Sequence, residues 1–340
     1  MEALRVAVAL SGGIDSFTSA LLLKQQGHEV IGVFMRVSED TGGMEASRQA
    51  AEILGIPHIV LDLRAPFEEL VVEPFLKGYL SGMTPNPCVL CNELVKFSLM
   101  KEEARRLGAD AFATGHYVRK ASIGGKWALL RGRDRRRDQS YFLWRLTQKH
   151  LQGVLFPLGE MTKEEVRRIA EAHGMKAPVE SREICFIKGD YRRFIEDRLG
   201  QSVKPGPIVD LKGRVLGWHS GIHRFTVGQR HGLGIRAERP YYVVKIRGNE
   251  IVVGREEDLY RRCLRARGVN WISGEAPKGV ISAEGQIRYR HQAAPCRAWM
   301  EGESLLCEFS KPQRAITPGQ ALVLYQGERV LGGGWIEEVL

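Results

Sequence analysis

Residues 4 to 26 read LRVAVAL, SGGIDS, FTSALLLKQQ, and this order narrows the fold more than any other stretch of the chain. LRVAVAL is a short apolar run rich in Val and Leu, the pattern of a strand buried on both faces. SGGIDS is a glycine turn. FTSALLLKQQ is an apolar helix, with Gly27 placed to close it in the left-handed conformation. A buried strand that turns sharply into a helix is the first half of a strand–helix–strand unit. The pattern then continues. HEVIGVFM reads as a second strand, ASRQAAEILG as a helix and PHIVLDL as a third strand. PFEELVVEPFLKGYL reads as a helix that Pro74 should break or kink. TPNPCVLCN reads as a loop whose two prolines forbid helix, ELVKFSLMKEEARRLG as a helix, and DAFATGHYV as a strand. Buried strands alternating with helices predict an α/β domain, a doubly wound parallel sheet covered on both faces.

The texture changes after residue 200. GEMTKEEVRRIAEAHG still starts as a helix, with Thr162 at the N-cap and Glu165 three residues on as a capping box. ESREICFIKGDYRRFI follows, and the helical pattern fades near Gly200. QSVKPGPIVD marks a boundary, and the remaining text is short strands separated by glycine turns. The expected organisation is an N-terminal α/β domain over 1–200, a small β-rich central domain over 201–258 and a C-terminal β-barrel over 259–340. The start, MEALRVAVAL, lacks the basic segment of a signal peptide, and no run approaches the length of a membrane span. A cytoplasmic protein is expected, with no membrane partner. In that compartment thiols stay reduced, so a C-x-x-C pair points to metal or redox chemistry rather than a structural disulfide. The net charge of +10 points to a polyanionic partner or to a solvated basic surface.

SGGIDS carries the first chemistry. Ligands of open α/β sheets bind at the carboxyl ends of the strands. Gly12 and Gly13 leave backbone N–H groups bare at a helix N-terminus, where an anion is favoured. Ser11 and Ser16 add hydroxyls. Asp15 repels phosphate unless a cation intervenes, so Mg²⁺ or a local orienting role is implied. The loop lacks the lysine of a Walker A sequence. The G-x-G-x-x-A at Gly232, Gly234 and Ala237 lies in the β-rich half without a helix and is discounted. RGRDRRRDQ, residues 131 to 139, holds five arginines and two aspartates and suits phosphate contacts. His219, His223, His231 and His291 read as surface or structural. Cys263, Cys296 and Cys307 read as buried, inert thiols.

Strand–SGGxDS–helix resembles the PP-loop ATP pyrophosphatases, which cleave ATP between the α- and β-phosphates and adenylate a carbonyl oxygen. Ten ordered motifs narrow the resemblance: IGVFM, TPNPxVLCNxxxKF, ATGHY, DQSYFLxxL, LFPLGExTKxxVR, ICFI, TVGQRxGLGI, IRYR, PQRAxTPGQ and LGGGxIE. From Val6 to Glu337 the chain is similar to the tRNA-specific 2-thiouridylases. The resemblance implies an adenine-nucleotide-hydrolase domain, a β-rich middle and a terminal barrel. It implies replacement of the C2 oxygen of a uridine, typically the wobble base of tRNA, by sulfur. It places ATP on Ala9, Leu10, Ser11, Gly12, Gly13, Ile14, Asp15, Ser16, Met35 and Gly115. It places RNA on His116, on Asn86 and Pro87 beside the target base, on Arg137, Asp138 and Gln139, on Arg288 and Tyr289, and on Gln320. Its catalytic cysteine maps to Cys91 and its sulfur-carrying cysteine to Cys185, with Asp15 in the catalytic set.

Two departures stand out. The better-known members have Asp after TPNP, where this chain has Cys88, in the stretch that meets the target base. Cys88, Cys91 and Cys185 together form the three-thiolate set that holds a [4Fe–4S] cluster with one open iron, and soft ligands of this kind select iron–sulfur or zinc. The competing chemistry is metal-free: a persulfide on Cys185, resolved by Cys91. Zinc is a third use and ordinarily wants four ligands. The chain also lacks the long insertion after the VFM strand. The expected partners are tRNA or another structured RNA, and a sulfur donor, either sulfide or a persulfide-carrying protein; DNA is not expected. The alternative function is a PP-loop enzyme that adenylates a different substrate.

Overall fold

The computed structural model describes residues 2–175, 184–200 and 203–340. The stretch 176–183, with the beginning of ESREICFI, lies outside them. The N-terminal strands are β1 (Arg5–Ala9), β2 (Glu29–Arg36), β3 (His58–Asp62) and β4 (Ala111–Ala113), then the hairpin β5 (Val118–Ile123) and β6 (Lys126–Arg131), and β7 (Val154–Leu155). Five of them form one parallel sheet in the order β3-β2-β1-β4-β7. The order reverses between β1 and β4, and the crevice at that switch point is where such sheets bind ligands. SGGIDS leaves the end of β1, and Thr114, Gly115 and His116 leave the end of β4.

Alternation along β1 sets the two faces. Val6 and Val8 pack with α1 (Ile14–Gln25) and α2 (Gly42–Leu54), while Ala7 packs with the helices on the other side. That other layer contains a helical run over α3 (Arg64–Phe67), a π-helical turn Glu68–Val72, and α4 (Glu73–Leu80). Pro74 was expected to break or kink this run. The chain stays helical and widens to π winding just before the proline, which accommodates the ring where an α-turn would clash.

TPNPCVLCN corrects a second expectation. It is not all loop: Pro87–Leu90 is a helical turn, α5, with Asn86 as N-cap and Pro87 at its first position. Proline is tolerated there because the first N–H has no intrahelical partner in any case. The helix continues as π-helical Cys91–Met100 and α6 (Lys101–Arg106). α7 (Gln148–Leu151) and α8 (Lys163–Ala172) follow. In α8 the anticipated capping box is present, Thr162 accepting from the Glu165 N–H and Glu165 from the Thr162 N–H. α9 (Tyr191–Leu199) packs Ile195 against Phe75 and Tyr79 of α4.

The β-rich half forms two sheets. β8 (Gly206–Asp210), β9 (Val215–His219), β10 (Tyr242–Arg247) and β11 (Glu250–Gly254) make one, in the order β10-β11-β8-β9. β12 (Tyr260–Trp271), β13 (Ile281–Gln286), β14 (Ala294–Glu301), β15 (Ser304–Arg314), β16 (Ala321–Gln326) and β17 (Arg329–Val339) make the other. The pairing of β12 with β17 closes these six strands into a barrel. The hairpin β5–β6 docks on β17 through Leu130 and Arg329, so the α/β domain lends two strands to the barrel's sheet. Gln320 also joins the two parts, its amide donating to the Thr84 carbonyl at 2.7 Å. His219 and His223 are buried, His223 Nε2 against Glu196 and His219 Nε2 against the Asn249 carbonyl, while His219 Nδ1 has no partner among the described residues; both sit inside the fold, which fits their structural reading. Cys296 and Cys307 are buried neighbours; their mutual contact and burial hold the Cys307 thiol well above its ordinary range.

Candidate active site

The crevice at the switch point is a cavity of about 400 Å³. The glycine loop forms one wall through Ala9, Leu10, Ser11, Asp15 and Ser16, with Met35 and Gly115 beside it. Pro87, Cys88 and Cys91 of the helix after TPN, and Cys185 and Phe186, line the same cavity. His116, Lys96 and Gln139 also border it.

The glycine loop is shaped by close approach. Gly12 has φ +82°, and a Cβ there would stand 2.7 Å from Ala46 Cβ and from the Ser47 backbone nitrogen. Gly13 caps α1 without any side-chain cap, which leaves the helix N–H groups open to an anion. Ser16 Oγ accepts from the Ser11 N–H at 3.1 Å and donates to the Gly13 carbonyl at 3.0 Å, fixing the turn. Ile14 turns away from the cavity and is buried against the sheet. Gly115 lets the β4 end lie on the loop, since a Cβ there would meet the Asp15 carbonyl carbon at 2.9 Å. Gly12→Ala therefore combines a strained backbone with a steric overlap. It should lower stability by about 1–3 kcal/mol and displace the loop, which thermal unfolding and a nucleotide titration would measure.

Asp15 has protein partners on both oxygens. Tyr117 donates to Oδ1 at 2.7 Å, and Lys163 Nζ donates to Oδ1 at 2.7 Å and to Oδ2 at 2.8 Å. Burial, with Asp15 adding to it, pushes the Tyr117 hydroxyl far above its ordinary range, so it remains a donor. Lys163 is the first residue of α8, and its own N–H is held by Asp134 at 3.2 Å. Sequence reasoning used TKEE only as a helix start and missed Lys163; its position in LFPLGExTKxxVR was the available clue.

Cys88 and Cys91 stand on one helix and face Cys185 from the far loop. The Asn86 side chain accepts from the Cys88 N–H at 3.2 Å, which fixes where the helix begins. Burial pushes the Cys88 thiol up to about 11 and the Cys91 thiol up to about 12. Cys185 adds to both shifts and Lys96 acts against them. Cys185 is exposed and also borders an outer cleft with Ser38, Lys188 and Asp190. Among the described residues no three His, Cys, Asp or Glu side chains are arranged to hold a metal ion. His116 is buried, accepts from or donates to Thr114 Oγ1 at 2.8 Å, and is held neutral by burial, with Lys96 adding to the effect.

Of the remaining candidate RNA residues, Gln139 borders this cavity, while Asp138 and Tyr289 do not. Tyr289 and Asp138 line a second cleft, with Arg131, Arg135 and Arg290. Asp138 is engaged internally, accepting from the Gly132 and Ser140 N–H groups and from Ser140 Oγ. Gln139 accepts from the Tyr117 N–H at 3.0 Å. Arg288 is half-buried, and burial lowers its guanidinium. Within RGRDRRRDQ, Arg135 pairs with Glu328, Arg136 with Glu164, Arg133 with Glu165 and Arg131 with Asp138. Arg137 is exposed and has no ion pair or hydrogen bond from its side chain among the described residues.

Comparison with known proteins places these walls in context. A family model described as tRNA methyl transferase HUP domain matches residues 4–189. Models described as tRNA methyl transferase PRC-barrel domain and aminomethyltransferase beta-barrel domain match residues 192–255 and 261–336. A tRNA-specific 2-thiouridylase MnmA of Geotalea uraniireducens is 45% identical, covering 99% of this chain and 96% of that protein. Proteins of the same name from Desulforudis audaxviator and Syntrophotalea carbinolica are each 49% identical, covering 97% of this chain and 98% of theirs.

Proposed function

The chain belongs to the tRNA-specific 2-thiouridylase family, and on that premise we propose that it replaces the C2 oxygen of a tRNA uridine with sulfur in two steps within one cavity. The observation that carries the proposal is the shared cavity: the glycine loop, His116 and the three cysteines border the same space of about 400 Å³. A uracil C2 carbonyl is a poor electrophile without a leaving group. ATP supplies one. The uridine O2 attacks the α-phosphorus, pyrophosphate leaves with the electron pair of the broken bond, and the N3 proton is lost. Mg²⁺ enters as the phosphate complex of ATP, because both oxygens of Asp15 already carry donors. The target base must leave its stack to reach the cavity, which an RNA loop permits at low cost.

Sulfur then attacks C2, and AMP departs with the original oxygen. Cys185 borders both the outer cleft and the inner cavity, so a donor persulfide can pass its outer sulfur to the Cys185 thiolate and leave as a thiol. The terminal sulfur bonds to C2. Cys91 attacks Cys185 to release the thiocarbonyl, and a thiol reductant reopens the resulting Cys91–Cys185 disulfide.

A cluster form of delivery would use the same three thiols. Cys88, Cys91 and Cys185 border one cavity and are soft donors of the type that hold a [4Fe–4S] group, although as they stand among the described residues they are not arranged as a metal-binding set. When bound, such a cluster supplies an open soft coordination position for inorganic sulfide. Protein purified without oxygen should then carry about four iron atoms per chain and absorb in the visible. Iron-free, colourless protein that thiolates RNA from a persulfide donor would leave the relay as the chemistry.

The enzymatic proposal is tested by incubating the protein with tRNA, ATP and a sulfur donor and digesting the RNA for mass spectrometry. ATP-dependent 2-thiouridine is the expected product; RNA-independent pyrophosphate release on a metabolite would favour a different PP-loop enzyme. RNA affinity should fall with rising salt, and Arg137→Ala should reduce the slope of log affinity against log salt by about 1. An unchanged slope would remove Arg137 from the phosphate contacts.

A further inference from the structure

Lys96 is a cation with no assigned partner. It borders the cavity between the glycine loop and the cysteines. Among the described residues bordering that cavity it is the only lysine or arginine. Its side chain forms no hydrogen bond or ion pair among the described residues. His116, the other basic group there, is held neutral. Asp15, the cavity's carboxylate, is engaged by Lys163 and Tyr117 instead.

The backbone winding brings Lys96 to this position. In an α-helix, five residues turn 500°, which would carry residue 96 about 140° away from Cys91. The residue on the Cys91 face would then be Val95. The helix is instead π-wound over Cys91–Met100, and i→i+5 bonding returns Lys96 toward the face of Cys91. Val95 is turned into the hydrophobic core. Cys91, Lys96 and Met100 all border the cavity as a result. π-helical segments are uncommon and concentrate at functional sites.

A half-buried ammonium without a protein partner, in a cavity that accepts ATP, is matched to an anion. We infer that Lys96 is a catalytic residue that binds the α-phosphoryl group during uridine adenylation and holds the AMP oxyanion as it departs. This inference rests on the adenylation reading above. In the first step the O2–P bond forms, the P–O bond to the β-phosphate breaks, and charge rises on the α-phosphoryl oxygens. In the second step the C2–O2 bond breaks and its electron pair stays on AMP. Both changes build negative charge where a fixed cation stabilises the transition state more than the ground state.

The test compares the wild type with Lys96→Met and Lys96→Arg, measuring tRNA-dependent pyrophosphate release over a range of ATP concentrations. Thermal unfolding of each variant checks that it folds. Lys96→Met should lose about 10²–10³-fold in kcat, with a much smaller change in the KM for ATP. Lys96→Arg keeps the charge and should retain roughly a tenth of the wild-type rate or more. A folded Lys96→Met with wild-type kcat, or a Lys96→Arg as slow as Lys96→Met, overturns the assignment. Absence of tRNA-dependent pyrophosphate release in the wild type overturns the adenylation reading itself, which separates the two failures.

Discussion

Replacing Cys91 with serine should abolish 2-thiouridine formation, by at least about 10³-fold, while the first turnover of tRNA-dependent pyrophosphate release proceeds near the wild-type rate. The asymmetry follows from the order of steps. Cys91 acts after the uridine has become an adenylate, so its loss should strand an activated base. Serine is close in size and keeps the buried wall filled, but a hydroxyl has neither the thiol's nucleophilicity nor its capacity to exchange with a disulfide. Mass spectrometry of digested RNA reads the first quantity and a coupled pyrophosphate assay the second. Wild-type thiolation in Cys91→Ser would exclude Cys91 from sulfur delivery. Loss of pyrophosphate release as well would place Cys91 in adenylation or in the fold.

Asp15→Ala should show the opposite pattern, with both pyrophosphate release and thiolation falling by about 10²–10³-fold. The carboxylate positions the Lys163 ammonium and the Tyr117 hydroxyl together beside the glycine loop. Without it, Lys163 loses its partner and two donors at the nucleotide wall become free to move. The defect is one of activation, so a chemically preactivated uridine would bypass it. A variant with intact pyrophosphate release and lost thiolation would contradict the role given to Asp15. Cys91→Ser and Asp15→Ala thus separate the halves of the reaction from opposite ends.

The residues differ in how far sequence alone disclosed their roles. The strand–SGGIDS–helix unit was legible because its signals are local: an apolar run, two glycines and an apolar helix within 24 residues. The parallel sheet followed from alternation, and the barrel from short strands between glycine turns. The π-winding over Cys91–Met100 was not legible, because ELVKFSLMKEEARRL satisfies a helical pattern without revealing how many residues fill a turn. The motif TPNPxVLCNxxxKF contains Lys96 without indicating that it borders the cavity. Lys163 was hidden for a different reason: its partner Asp15 lies 148 residues away, and capping chemistry already explained its neighbours. From sequence the prolines of TPNPCVLCN read as helix breakers, although Pro87 sits in the first turn of a helix, where proline is tolerated. The docking of β5–β6 on the barrel is a long-range pairing for which the hairpin's own sequence carries no signal.

The central claim is that the uridine's own oxygen becomes part of the leaving group. A tRNA carrying ¹⁸O at C2 of the target uridine tests it in a single turnover, with the nucleotide products examined by mass spectrometry. Adenylation of O2 predicts one ¹⁸O in AMP for each 2-thiouridine formed, and none in pyrophosphate. Thiolated RNA accompanied by unlabelled AMP, with the heavy oxygen recovered in water or pyrophosphate, would contradict it.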